Sequence, residues 1–490
     1  MQIFIVIFFN VIIFALGVFA PRLQKKKKSS SENLDDLTGR NSKMPLWVSL
    51  LTITATWVGG GYINGTAESA FSNGLLETIA PWAFSLSLII AAIFFVTPFR
   101  QQNPKTFMDV FTKRFSKKFV AYLFIPALLG EIFWSSAILL ALGATLSTLF
   151  DLSLSLCIWG SMFMAVIYTA LGGMWSVACT DVAQLFLIAL GLFIAVPYVY
   201  DHFGSFEIVW SNYKNHFLEK SSFLPATLDR NSFQWFDTVF YLVLGGIPWG
   251  SYFQRVLIIS TDKKAKQVSI AAGFLCFLFA IPSLLFGIAG VSINWSNFAG
   301  IEFEQSMIIP FMLKQFTPPL ICALGLSALT AAVMSSIDSS LLSIASNFSW
   351  NIYKEFRPAS SQKEILWVTK ISIVVSGFFA ALLALNIKSV YHLWALSSDL
   401  VYVLLFPQLV GVLFFSRLSN TSFIFAFAMG SISRTVFYFL CEEIQWFQLW
   451  PYRSICVALS FMTLFTCEFF LTRKEKNEDL FQFHGKYQNN

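Results

Sequence analysis

Six carboxylates lie inside apolar stretches of this sequence, where an ionisable side chain is costly and is therefore a candidate for function. They are Glu68, Glu131, Asp181, Asp237, Asp338 and Asp399. A helix-end cap or a paired structural charge is the alternative interpretation of each. Asp338 and Asp181 differ from the rest because hydroxyls flank them, from Ser335, Ser336, Ser339 and Ser340 at the first and from Ser176 and Thr180 at the second. Such oxygen clusters, without histidine, suit a hard cation such as sodium rather than a transition metal.

Three tryptophans lie in mid-membrane positions next to a residue that is small or that interrupts a helix. Trp57 is close to Gly59, Trp134 precedes Ser135, and Trp249 follows Pro248. Filling of the core or contact with lipid is one explanation, although tryptophan is commoner at the membrane interface. The other is a box of indole faces around a quaternary ammonium, which has no N–H to donate to a carboxylate. Each face attracts such a cation by about 2 kcal/mol or more when the pair is desolvated.

Residues 52–68, TITATWVGGGYINGTAE, interrupt an apolar run that is long enough to cross a bilayer. Gly59, Gly60 and Gly61 each disfavour a helix interior by about 1 kcal/mol relative to alanine. A broken helix in hydrocarbon leaves backbone N–H and C=O groups that protein, ions or water must satisfy. Discontinuous helices of this kind hold substrate and ions in secondary transporters. We therefore expect this segment to line a binding cavity.

The composition is that of a polytopic helical membrane protein. Of the 490 residues, 56% are hydrophobic and 12% are charged, which is about half the charged fraction of a soluble domain. The apolar runs are continuous rather than alternating, which excludes a β-barrel. The net charge of +6 comes from Lys and Arg in short loops and indicates topology rather than nucleic-acid binding. The seven cysteines lack metal-binding spacing, and we interpret them as small buried hydrophobes.

Thirteen membrane spans are expected from the apolar runs. They lie near residues 3–20, 45–66, 75–98, 119–149, 154–173, 179–199, 236–257, 268–292, 318–348, 364–386, 389–415, 421–440 and 453–472. The N-terminus is expected outside and the C-terminus inside, because basic residues cluster in alternate loops at 22–43, 100–118, 255–266, 354–363 and 473–476. Asn294 begins a glycosylation sequon in a loop that this topology places outside.

The spans divide into a core and flanking segments. We expect a first span with a basic loop at 1–44, a transporter core at 45–415, further spans at 416–472 and a short cytoplasmic tail at 473–490. If the core is a pair of inverted five-helix repeats, these occupy 45–199 and 236–415. The break at 52–68 then falls in the first helix of one repeat. The polar segment 321–347 falls in the third helix of the other, a pairing that rests on spacing alone.

Several segments resemble the sodium/solute symporter family, over residues 45–415 in all. They are 54–68, 124–134, GGMWSVACTD at 172–181, LGGIPW at 244–249 with YFQRV at 252–256, AAVMSSIDSS at 331–340, NIY at 351–353 and LSSDLVY at 396–402. The GGxxSV stretch and the Ser335–Ser336 pair are typical of the whole family. The TWVGGGYINGTAE and GGIPW stretches are more specific and resemble its choline-carrying branch.

The resemblance implies a thirteen-span, all-α membrane protein with a ten-helix inverted-repeat core and no enzyme activity. It implies alternating-access uptake of choline with sodium and a chloride requirement, at the cell membrane of presynaptic terminals and in synaptic vesicles, in support of acetylcholine synthesis. The substrate would be bound by Trp57, Trp134 and Trp249, with Phe84 and Tyr62. One sodium ion would be bound by the carbonyls of Ala55, Val58 and Ala332 and the hydroxyls of Ser335 and Ser336. A second would be bound by Asp181, Asp338 and Ser339.

The chain departs from the family pattern at two positions near this site. Phe84 stands where a tyrosine is expected to face the substrate, and Gly250 replaces a larger polar residue. The same fold carrying a sugar, an amino acid or a vitamin is an alternative function, as is a transport-inactive sensor. A sugar site would be lined by several Asn, Gln and Glu side chains, whereas three tryptophans stand here. A channel would have a continuous polar pore, which the scattered polar residues do not indicate.

Overall fold

A computed structural model describes residues 4–9, 11–12, 15, 45–171, 174–227, 230–298 and 303–487. Across these residues the chain is helical and forms no strand. The helices are α1 (Leu46–Trp57), α2 (Gly60–Ser72), α3 (Ala80–Ile90), α4 (Val96–Gln101), α5 (Asp109–Thr112), α6 (Lys117–Phe150), α7 (Leu154–Leu171), α8 (Met174–His202), α9 (Phe206–Phe217), α10 (Arg230–Gly245), α11 (Gly250–Ile258), α12 (Asp262–Gly290), α13 (Ile308–Phe316), α14 (Pro319–Asn347), α15 (Lys354–Phe356), α16 (Gln362–Asn386), α17 (Val390–Leu400), α18 (Phe406–Phe414), α19 (Asn420–Glu443), α20 (Gln445–Gln448) and α21 (Tyr452–Tyr487). The predicted first span at 3–20 lies mostly outside the described residues. The side chain of Ser176 is also outside the described part of the chain.

The helices confirm a multi-pass membrane protein but not a count of thirteen spans. Among the described residues, nine helical stretches are long and apolar enough to cross a membrane, and the bent pair α1–α2 brings the number to ten. The helix α7 contributes only a shorter apolar stretch, Leu154–Ile167. The expected span at 236–257 is divided into α10 and α11. A broken span yields two helices that are each too short to cross a bilayer alone.

Two breaks shape the centre of the molecule. The helices α1 and α2 meet at an angle of 48°, where Val58 and the extended Gly59 leave the helical path. The second break lies between α10 and α11, and there Trp249 is extended and precedes the first residue of α11. Trp57 is the last residue of α1 and Trp249 immediately precedes α11, and both indoles are buried.

Three of the predicted basic loops meet at one end of the helical bundle. At one end Arg100 pairs with Asp262 at 2.7 Å, Lys117 pairs with Glu355 at 3.4 Å, and Arg114 donates to the carbonyl of Ser416 at 3.2 Å. We call this the basic end, because it gathers three of the basic loops singled out in the sequence. At the opposite end Lys220 pairs with Glu77, and Asn294 is exposed. The orientation of the two ends across the membrane stays a prediction.

Candidate functional site

Carbonyl oxygens at the end of α1 face two serine hydroxyls of α14. Ser335 Oγ donates to the carbonyls of Ala55 at 3.1 Å and Ala332 at 2.9 Å. Ser336 Oγ donates to the carbonyls of Ala55 and Thr56, at 3.2 Å each. The last carbonyls of a helix lack partners within it and lie at the negative end of its dipole. Helix C-terminal ends and unwound carbonyls of this kind coordinate sodium in transporters.

The glycine at the break allows α14 to approach this closely. A Cβ atom on Gly59 would lie 1.9 Å from Ser336 Oγ and 3.4 Å from the Ala332 carbonyl oxygen. Val58 lies in the break itself. The structure therefore brings the five residues of the first expected sodium set into one region, with four of them joined by hydrogen bonds. Their oxygen donors fit a monovalent hard cation.

A second polar cluster lies one turn further along α14. Thr52 donates a hydrogen bond to Asp181 Oδ2, and Ser339 donates through its backbone N–H to Asp338 Oδ1 at 2.7 Å. Asp181 and Ser339 both contact the guanidinium of Arg255, which places Asp338, the neighbour of Ser339, in the same cluster. The expected second sodium set is therefore gathered in space.

Arg255 of α11 also belongs to this cluster, although the sequence analysis did not place it there. Its Nη2 lies 3.5 Å from Asp181 Oδ2 and donates to Ser339 Oγ at 2.6 Å. With both buried carboxylates ionised, the single guanidinium would leave one negative charge uncompensated. Asp181 Oδ1 and Asp338 Oδ2 also have no hydrogen-bond partner among the described residues. A single sodium ion would neutralise the charge and satisfy both oxygens, which is what a buried charged group requires.

Five buried aromatic rings form a closed circuit beside the break. Successive ring centroids are separated by 5.6 Å from Trp57 to Phe84, 5.2 Å from Phe84 to Trp394, 5.9 Å from Trp394 to Trp134, 6.4 Å from Trp134 to Trp249 and 5.7 Å from Trp249 back to Trp57. We call these five side chains the ring circuit. A flat circuit with these sides would place each centroid about 5 Å from its centre, within the roughly 6 Å at which an aromatic face attracts a cation.

The ring circuit has one member that the sequence did not indicate, and one expected residue lies beside it. Trp394 is the member that sequence reasoning missed, since α17 has no break beside it. The ring of Tyr62, which was also expected to bind substrate, packs against Trp394 with the two centroids 5.2 Å apart. Its hydroxyl donates to the backbone carbonyls of Pro81 and Cys276, at 3.1 and 2.8 Å. A substrate-binding role of Tyr62 stays a prediction.

Three of the six intramembrane carboxylates have hydrogen-bond partners on both oxygens. Glu68 Oε2 accepts from the backbone N–H of Val390 at 2.9 Å and Oε1 accepts from Ser389, which caps the start of α17. Asp237 and Asp399 meet arginines from the last two long helices. Arg434 makes a bidentate pair with Asp399 at 2.9 Å, and Arg453 bonds to Asp399 at 2.9 Å and lies 3.5 Å from Asp237. For these three, the cap or paired-charge interpretation describes the contacts.

We expect Asp399→Asn to destabilise the protein by about 3–5 kcal/mol, because removing one partner of a buried ion pair leaves the other charge uncompensated. Asp399 is 2% exposed. Thermal unfolding of the detergent-solubilised variant measures this. Lys220→Ala is the matched control, since the Lys220–Glu77 pair is solvent-exposed and worth at most about 1 kcal/mol. Equal melting temperatures for the two variants would contradict the assignment.

Comparison with known proteins agrees with the helical architecture. The sequence matches the Sodium:solute symporter family over residues 37–430. The chain is similar to the high-affinity choline transporter 1 of Torpedo marmorata, with 43% identity over 445 residues, 88% of this chain and 75% of the relative. It is also similar to the high affinity choline transporter 1 of Homo sapiens, with 39% identity over 487 residues, 94% of this chain and 83% of the relative.

Among solved structures, the chain is similar to a Na+-coupled sialic acid symporter in a substrate-bound outward-open state. The TM-score is 0.73 at 18% identity, covering 94% of this chain and 96% of the symporter. At that identity the likeness establishes the fold alone. The described chain therefore has the helical fold of sodium-coupled transporters.

Proposed function

We propose that this chain, which belongs to the sodium:solute symporter family, takes choline into the cell together with sodium. Family membership makes it a multi-pass transporter rather than an enzyme. The choline assignment is supported above all by the ring circuit, in which four indoles and one phenyl ring follow one another with centroids 5.2 to 6.4 Å apart. Quaternary ammonium groups are recognised by such aromatic cages. The two relatives described above are named high-affinity choline transporters, which adds to that support.

Sodium binds, in this proposal, at both oxygen clusters. The first site comprises Ala55, Val58, Ala332, Ser335 and Ser336. The second comprises Asp181, Asp338 and Ser339, with Arg255 and Thr52 orienting the carboxylate of Asp181. The hydroxyls of Ser335 and Ser336 that now donate to α1 would turn their lone pairs to the ion. The break then serves both ligands, because the carbonyl of Ala55 faces sodium and the indole of Trp57 faces choline.

Coupling to sodium gives the transport its driving force. A cation that enters a cell gains about 2.3 kcal/mol per charge per 100 mV of negative membrane potential. One sodium ion moving with choline about doubles that electrical gain and adds the sodium gradient. The basic end faces the cytoplasm in this proposal, so that Asn294 lies outside and accepts a glycan. The resemblance to the choline-carrying branch of the family adds two further parts to the proposal, a requirement for chloride and a presynaptic role in acetylcholine synthesis.

Reconstitution of the purified chain into liposomes tests this function. An inward sodium gradient is expected to drive uptake of radiolabelled choline, and an equal potassium gradient is expected to give none. Excess glucose or proline should not compete, whereas other quaternary amines should. Replacing chloride with gluconate tests the chloride requirement separately. Inhibition of choline uptake by sugars would indicate that the protein transports another solute. Choline binding without uptake would indicate a transport-inactive sensor.

A further inference from the structure

A small cavity lies next to the ring circuit on the side of the basic end. Its volume is about 10 Å³, the size of a single water site. Trp249 forms a wall of both the circuit and the cavity, and Glu131 and Gly250 also line it. Phe107 and Asn347, from the loop before α5 and the end of α14, close it toward the basic end. The cavity thus places the carboxylate of Glu131 next to a wall of the ring circuit.

Hydrogen bonds hold one carboxylate oxygen of Glu131 in place and leave the other oxygen unpaired. The residue is 6% exposed. Its Oε2 accepts from Ser340 Oγ at 2.6 Å, and Ser135 Oγ donates to Ser340 at 3.0 Å. The Ser343 hydroxyl and the Ser251 backbone N–H also approach the carboxyl as donors, yet neither forms a well-aligned hydrogen bond to Oε1, which has no such partner in the described part of the chain. An ionised carboxylate only accepts hydrogen bonds, and leaving such an oxygen unpaired in a buried site is costly.

Gly250 leaves open the space that Oε1 adjoins. A Cβ atom at this position would lie 2.5 Å from Ser343 Oγ, 2.8 Å from Asn347 Nδ2 and 3.7 Å from Glu131 Oε1. A side chain at residue 250 would therefore enter the space bordered by Ser343, Asn347 and Glu131. The glycine keeps a water-sized volume free next to an unpaired acceptor.

The position of Glu131 relative to the cage matches the shape of choline. Glu131 precedes Trp134 by three residues on α6, so the two side chains lie on one face about one turn apart. The choline hydroxyl oxygen is two carbons from the nitrogen, roughly 3.5 Å away by ordinary bond lengths. Aromatic faces satisfy the trimethylammonium group but offer no lone pair to the hydroxyl. A hydroxyl group also has the size of the cavity.

We infer that Glu131 Oε1 accepts the hydrogen bond of the substrate's hydroxyl group while the ring circuit holds its ammonium group. This inference rests on the proposed function and adds to it a site that selects amino alcohols over plain quaternary amines. Ser340 acts as a positioning residue, because it fixes the other carboxylate oxygen. A hydrogen bond to a charged acceptor corresponds to about a 10- to 100-fold preference for choline over an analogue without the hydroxyl.

Competition assays with three ligands on the full chain test the inference. Choline is compared with ethyltrimethylammonium, which lacks the oxygen, and with O-methylcholine, which keeps the oxygen but cannot donate. Both analogues are expected to compete about 10- to 100-fold less well than choline in the wild type. If O-methylcholine competed as well as choline, a donor rather than Glu131 would recognise the oxygen, and the inference would be overturned.

Variants of Glu131 separate recognition from folding. In Glu131→Ala the preference for choline over ethyltrimethylammonium is expected to fall below about threefold, with binding of ethyltrimethylammonium retained. Glu131→Gln keeps the side-chain volume and a weaker hydrogen-bond acceptor, so its preference for choline should lie between those of the wild type and Glu131→Ala. This variant provides the test if Glu131→Ala does not fold. Glu68→Gln is the matched control, since both oxygens of that carboxylate are already bonded, and its preference for choline should match that of the wild type.

An equal loss of affinity for choline and for ethyltrimethylammonium in the Glu131 variants would indicate a structural role of Glu131 and would overturn the inference. Binding of none of the three ligands by the wild type would instead contradict the proposed function.

Discussion

Replacing Trp57 with alanine is expected to abolish sodium-driven choline uptake while the protein still reaches the membrane. Trp57 is 3% exposed and contacts both Phe84 and Trp249, so its removal opens the ring circuit. One desolvated indole face contributes about 2 kcal/mol or more, which corresponds to at least about a 30-fold loss of choline affinity. The opened circuit would also admit water and weaken the attraction of the remaining faces.

Two matched variants make this expectation specific. Trp57→Phe retains an aromatic face and should retain part of the uptake. Trp159→Ala removes a tryptophan of α7 that packs on Phe378 at 5.5 Å, away from the circuit, and should leave choline affinity within about twofold of the wild type. Radiolabelled uptake, normalised to the amount of protein at the cell surface, measures all three. Wild-type uptake by the Trp57→Ala variant would remove the main support for choline recognition.

Gly59→Ala is expected to remove sodium coupling. The added Cβ atom would lie 1.9 Å from Ser336 Oγ and 2.5 Å from Ser336 Cβ. Overlap at these distances forces α1 away from α14, and overpacking of this kind costs about 1–3 kcal/mol. The carbonyl of Ala55 then separates from the two serine hydroxyls, so the oxygen atoms no longer surround one ion. We expect the sodium concentration for half-maximal uptake to rise more than about tenfold.

The control for this change is a glycine of the same chain in open surroundings. Gly160 on α7 has no atom within 4 Å of a built Cβ, so Gly160→Ala should leave the sodium dependence unchanged. Both variants are compared by uptake over a range of sodium concentrations with the cation balance kept by potassium. An unaltered sodium dependence in Gly59→Ala would mean that the ion does not bind between α1 and α14.

The sequence indicated those site residues that lie beside a helix break or that place polar groups in a membrane segment. Trp57 and Trp249 stood out because glycine or proline interrupts the helix beside each. Ser335 and Ser336 stood out because polar side chains are costly in a membrane segment. Trp394 carried no such signal, since it lies within the regular turns of α17 and joins the circuit only through tertiary packing. The same holds for Arg255, which reaches Asp181 from another helix.

The fold was predictable in class but less so in detail. Continuous apolar runs identify membrane helices, and family motifs indicate the transporter fold. Hydropathy, however, does not separate one long span from two short helices, as α10 and α11 illustrate. Pairing between distant charges is equally hidden, because Arg434 and Arg453 approach Asp399 only after the last helices pack on the core.

The central claim is that one helix break binds sodium and choline together. The most direct measurement is the affinity of the purified protein for choline, by calorimetry, at a series of sodium concentrations with potassium as the replacement ion. We expect the choline dissociation constant to fall at least about tenfold between sodium-free and saturating conditions, and choline to raise sodium affinity by the same factor. The same choline affinity in sodium and in potassium would contradict the claim.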